Sequence, residues 1–157
     1  MADASIRATL VIDASAESVF AVLSDPRQHA AIDGTGRVCE PLDTEPLTAV
    51  GQVFRMAMYH ENHPEGGYRM GNRVQVFEPP YAISWEPGHY PGDDSLRFSG
   101  WFWRYDLAPL EDGTTKVTLT YDWSAVEQSV RDHIGFPPFP PEHLSESLAH
   151  LAELVES

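Results

Sequence analysis

The sequence predicts an α+β fold, a seven-stranded antiparallel meander framed by helices, and three observations predict it. Short apolar runs with a period of two, separated by glycine, proline or acidic turns, fill the chain from about residue 37 to Trp123. Helical spacing of apolar residues appears before and after that region, at Val19, Phe20 and Leu23 and at Leu144, Leu148, Leu151 and Val155. No internal repeat, linker or low-complexity segment divides the 157 residues, so a single domain spanning 1–157 is expected.

Taken in order, Ile6, Ala8, Leu10 and Ile12 alternate with Arg7, Thr9 and Val11 as a first strand. Asp13 and Ser15 offer N-caps for a helix that Asp25-Pro26 stops. A short second helix is expected over Arg27 to Ile32, closed by Asp33-Gly34-Thr35-Gly36. Six further strands follow near 37–43, 52–59, 68–78, 81–87, 97–108 and 115–123. Their turns fall at Glu65-Gly66-Gly67, Pro79-Pro80, Pro91-Gly92-Asp93 and Asp112-Gly113.

In the last two strands Trp101, Trp103, Tyr105 and Leu107 share one face, as do Val117, Leu119, Tyr121 and Trp123. Arg104, Asp106, Lys116, Thr118, Thr120 and Asp122 take the other, so a hairpin sets one apolar side against the interior. Phe98 and Phe102 break this division. If exposed, they belong to an apolar patch suited to a partner or a homodimer. Ser124-Ala125-Val126-Glu127 reads as a capping box opening a helix to about His133, and Glu142 to Val155 forms the final helix.

Pro137, Pro138, Pro140 and Pro141 surround Phe136 and Phe139 just before that helix. Prolines hold polyproline II, which turns every three residues, so both rings project from one side. They either plug the end of the core or gate an internal cavity.

A formal net charge of −14 with no cluster of Lys and Arg excludes nucleic acid and anionic membrane surfaces as partners. No apolar run approaches the roughly 20 residues of a membrane span. The N-terminus lacks the basic and apolar pattern of a secretory signal. With Cys39 as the one cysteine, packing alone holds the fold, and a soluble cytoplasmic protein is expected.

The segments 11–36 (VIDASAESVFAVLSDPRQHAAIDGTG), 76–86 (VFEPPYAISWE) and 103–123 (WRYDLAPLEDGTTKVTLTYDW), with the final amphipathic helix, resemble the bacterial polyketide cyclase/dehydrase-like (SRPBCC) proteins of the START/Bet v 1-like superfamily. The resemblance spans nearly the whole chain. It implies a helix-grip fold in β-α-α-β6-α order, with the curved sheet wrapped around the long C-terminal helix and enclosing a cavity for a small hydrophobic or aromatic molecule. Carried over by strand parity, the inward set is Met56, Met58, Val74, Val76, Ile83 and Trp85, then Trp101, Trp103, Tyr105, Leu119 and Tyr121. Leu144, Leu148 and Leu151 close it, and Tyr68, Phe136 and Phe139 complete the candidate ligand-binding residues. The ligand is expected to be polyketide-, steroid- or lipid-like. The family's activities vary, so cyclase or dehydrase chemistry stays open. The alternative is an interaction module like the superfamily's co-chaperone branch, without a ligand cavity.

Candidate chemistry is sparse, and no catalytic residue is assigned. His60, His63 and Glu65 cluster at an expected hairpin tip without the spacing of a zinc motif, so neither metal nor cofactor is expected. His89 shares the face of Trp85 if the strand passes Pro87, although Pro87-Gly88 reads as the start of a loop. His143 and His150, about 10 Å apart along a helix, are too distant to share a ligand. Tyr59, Tyr68, Tyr105 and Tyr121 are candidate hydroxyl donors to a bound ketone or phenol. No nucleophile elbow or phosphate-cradling glycine loop is present. A monomer or a homodimer is compatible with all of this.

Overall fold

The computed structural model describes residues 5–25, 28, 32, 38–41, 45–59, 67–89, 97, 98, 100–131 and 142–156, with the backbone alone at 38–41, 57–59, 67–69, 89, 97, 130 and 131. Elements follow in the order β1 (Ser5–Ile12), α1 (Ala16–Leu23), β2 (Val38–Pro41), β3 (Val53–Tyr59), β4 (Gly67–Glu78), β5 (Ala82–His89) and β6 (Arg97–Phe98). Then come β7 (Phe102–Pro109), β8 (Thr115–Asp122), α2 (Gln128–Arg131) and α3 (Glu142–Glu156). All the strands among the described residues form one sheet in the order β1-β8-β7-β5-β4-β3-β2, with β6 on β5. Every described pair is antiparallel. The seven expected strands are therefore present, and an eighth arises because one of them is broken.

The break is at Gly100, where the expected strand 97–108 divides into β6 and β7. Its φ of +105° suits glycine, and a Cβ there would meet the Ala125 carbonyl oxygen at 2.8 Å. The chain turns there because the segment after β8 lies directly against it.

Local chemistry explains the well-placed boundaries. Ser15 caps α1, its Oγ accepting from the Ser18 amide at 3.2 Å. The β7–β8 hairpin turns at Gly113, whose φ is +86°. There Thr114 donates from both its amide and its hydroxyl to Asp112 Oδ1, which holds the exposed Asp112 carboxyl below the ordinary carboxylate range. The expected turn at Pro79-Pro80 joins β4 to β5.

Three expectations are corrected. Ser124 opens no helix: its amide and hydroxyl both donate to Asp122 Oδ1, at 2.8 and 2.6 Å, and α2 begins only at Gln128. A short polar side chain has captured a nearby donor, an alternative to helix that this residue type always offers. Val76 does not share the inward face with Val74: the β4–β5 register shifts between them, and Phe77 packs on the core instead. Finally, β5 runs on through Pro87 and Gly88 to His89, which pairs with Met70 of β4.

The core lies between the inner face of the sheet, α1 and α3. Ile12, Val19 and Leu23 join Ile83, Val117 and Leu119, and Leu144, Leu148 and Leu151 close it from α3. The apolar stripe read on the last helix is thus the buried one. The opposite face of the sheet carries ion pairs: Arg104 Nε donates to both Asp106 carboxylate oxygens at 3.0 and 3.1 Å, and Arg73 donates to Glu86 at 2.8 Å. The same Arg73 guanidinium lies 4.2 Å from the centre of the half-buried Phe98 ring. Phe98 and Phe102, both half-buried, therefore do not form the exposed apolar patch that the alternation suggested.

Outside the described residues lie most of the expected second helix and its closing turn (29–31 and 33–36), His60 to Gly66, the turn at Pro91 and the segment from His133 to Pro141.

Candidate functional site

Strand register sets the inner aromatic residues in rows. Tyr121, Trp103, Trp85 and Val74 lie opposite one another across β8, β7, β5 and β4. The next row, two residues along each strand, holds Ala8, Leu119, Tyr105 and Ile83. Beyond it Leu10, Val117 and Leu107 approach α1.

Rings make contact along and between these rows. Trp103 stacks obliquely on Tyr121 at 4.6 Å between centroids, and Tyr121 reaches Trp123 at 5.8 Å. Trp85 lies 5.8 Å from Tyr105 and meets Phe54 of β3 edge to face at 5.7 Å. Ser84 fixes the backbone of this wall by donating its hydroxyl to the Trp103 carbonyl at 2.7 Å.

The two ends of the interior differ. At the α1 end Phe20 and Phe77 pack edge to face at 5.3 Å, and Asp13 donates its amide to Glu156 at the far end of α3 at 3.0 Å. Val19, Leu23, Val117 and Leu151 are fully buried there. At the other end the first turn of α3 presents His143, 8% exposed, with its ring 6.1 Å from that of Trp103 and nearly perpendicular to it. Trp85, Trp101 and Trp103 pack against the core yet stay only half-buried.

Most of the expected ligand-binding residues meet on this inner surface. Met56, Val74, Tyr105, Leu119, Tyr121, Leu144, Leu148 and Leu151 are buried, and the three tryptophans are half-buried beside them. Met58 and Tyr68 face each other in the β3–β4 register, but their side chains, like Phe136 and Phe139, lie outside the described residues. The site also contains residues that the sequence reading left out. Trp123 and Phe54 share parity with residues already chosen and were legible in principle. His143 was not, because only the tertiary contact with Trp103 separates it from any helical histidine. His150 turns elsewhere, its Nδ1 lying 3.2 Å from the Ile32 carbonyl oxygen.

Burial pushes the Tyr121 phenol well above its ordinary pKa, so it stays a neutral hydroxyl at physiological pH. A neutral phenol can donate to a ketone or phenol oxygen, and the His143 imidazole can both donate and accept. Trp103 touches both, which sets two polar groups around one half-buried indole in a mainly apolar wall.

Comparison with known proteins agrees with this architecture. The fold matches a crystal structure from Chromobacterium violaceum with a TM-score of 0.67 and 23% identity, over 98% of each chain. A solution structure from Arthrobacter aurescens matches with a TM-score of 0.68 and 21% identity, over 98% of this chain and 86% of the other. An uncharacterized protein of Mycobacterium tuberculosis is 30% identical over 114 residues, 73% of this chain and 45% of that protein. The chain thus spans less than half the length of that relative. The family described as polyketide cyclase/dehydrase and lipid transport matches residues 3–156. The chain belongs to this SRPBCC-type polyketide cyclase/dehydrase family.

Proposed function

We propose that the protein binds a small hydrophobic or aromatic molecule, of polyketide, steroid or lipid type, between the inner face of the sheet and the first half of α3. The observation that carries this reading is the half-buried state of Trp85, Trp101 and Trp103 on a face whose neighbouring rows are buried. Large aromatic faces held in place by strand register, with few polar groups near them, suit a flat apolar ligand. Tyr121 and His143 would orient a ligand oxygen at the Trp103 end. Cyclase or dehydrase chemistry on such a ligand would use those two groups as donor and acceptor, and binding is the part proposed here. The interaction-module alternative finds no support in the family match.

The test is a thermal-shift series with a steroid, a fatty acid and an aromatic polyketide, read together with tryptophan fluorescence. A ligand at about 100 times its Kd raises stability by about 2.7 kcal/mol, or roughly 5–11 °C in a domain of this size. Absence of any shift or quenching across the three classes, with a solved interior filled by side chains, would overturn the proposal.

A further inference from the structure

Asn72 is a polar residue on the inner face that neither family nor wall accounts for. It sits on β4 between Met70 and Val74, with the exposed Arg73 and Gln75 marking the opposite face, and its Cα partner across the β3–β4 ladder is the buried Phe54. It is 8% exposed. A carboxamide offers two donors and an acceptor with two lone pairs, and among the described residues no side-chain nitrogen or oxygen is both buried and without a hydrogen-bond partner, so the polar functions of Asn72 that lack one stay accessible. Among the described residues this one makes a single long hydrogen bond, Nδ2 to the Phe54 carbonyl oxygen at 3.4 Å. Because a carbonyl can only accept, that bond fixes which way the amide faces: one N–H is engaged, while the second N–H and Oδ1 are directed elsewhere. Phe54 in turn touches Trp85 edge to face.

We infer that Asn72 is a specificity-determining residue of the inner wall, and that it takes a ligand hydroxyl, phenolic or alcoholic, through its Oδ1 and second N–H while the half-buried Trp85, backed by Phe54, holds the attached ring. A hydroxyl both donates and accepts, which matches the two unused functions of the amide; a purely apolar molecule would leave both unmet. This inference rests on the binding reading above.

The experiment compares 2-naphthol with 2-methylnaphthalene, two probes of nearly equal shape of which one carries the hydroxyl. Wild-type protein is expected to prefer 2-naphthol by roughly tenfold, the scale of the net gain from one good hydrogen bond. Asn72→Leu, which keeps the same branched heavy-atom skeleton without the polar atoms, is expected to abolish the preference while 2-methylnaphthalene still binds. The Asn72 side-chain amide resonances of wild-type protein, which do not depend on any variant folding, are expected to shift with 2-naphthol and not with 2-methylnaphthalene. Equal affinities for the two probes in the wild type, an undiminished preference in Asn72→Leu, or unmoved amide resonances on 2-naphthol binding would overturn the inference and leave the wall reading standing. If neither probe binds the wild type, both fall together.

Discussion

Tyr121 carries the clearest single-residue consequence. Its phenol is raised above the ordinary value of 10.0 because ionisation would place a charge in an apolar surrounding. The folded chain then keeps a proton that the unfolded chain releases, so this contribution is complete below the unfolded value and is lost as pH rises past it. We expect the denaturant midpoint to fall between about pH 9 and about pH 11, and to fall less in Tyr121→Phe; equal slopes in the two proteins would refute this. At this scale the candidate site was half legible. Strand parity alone selects Trp85, Trp103 and Tyr121, since alternate residues must face one way. His143 was not selectable, because a histidine on a helix looks the same in sequence whether it meets an indole or water; Asn72 has the parity of Val74, but its polarity argued against an inward place.

Among the elements, strands were read nearly to their boundaries, and each miss has a physical cause. The register shift after Val74 inverts the inward face for the rest of β4, exchanging Val76 for Phe77, and nothing in the pattern VQVFE announces it. Gly100 ends β6 because the Ala125 carbonyl occupies the place of a Cβ, a contact from 25 positions away that local reading could not anticipate. Gly100→Ala should therefore cost about 1–3 kcal/mol through the positive φ and the forced displacement, measured by chemical denaturation, whereas Gly113→Ala, with open space around its Cβ, bears the dihedral cost alone. Equal losses at the two glycines would remove the close-approach argument. The last helix was legible throughout, since four leucine and valine positions on one stripe require a surface to cover.

For the whole molecule, the difference between the two ends of the interior separates stability from binding. Leu151→Ala, at the α1 end, should cost about 2–5 kcal/mol, as truncation of a fully enclosed side chain does, with little change in affinity for a probe at the other end. Trp103→Leu should weaken binding of 2-methylnaphthalene several-fold at a smaller loss of stability, because its indole is only half-buried. A calorimetric titration beside each melting curve tests the contrast, and the reverse pattern would show the two ends to be one continuous core. The general architecture could be read from periodicity; the asymmetry could not, since it arises from where α1 and the start of α3 sit against the sheet.

One topological fact sets the order in which this architecture can assemble. The first strand lies at the sheet edge and pairs residue for residue with the eighth, Ser5 opposite Asp122 and Ile12 opposite Thr115. On the ribosome, with synthesis running at about 5–20 residues per second, the earliest-made strand waits for several seconds before its neighbour exists. Its unpaired backbone is exposed to stray association for that interval, and the β1–β8 pairing, which needs residues 115–122, falls late in the synthesis of this domain.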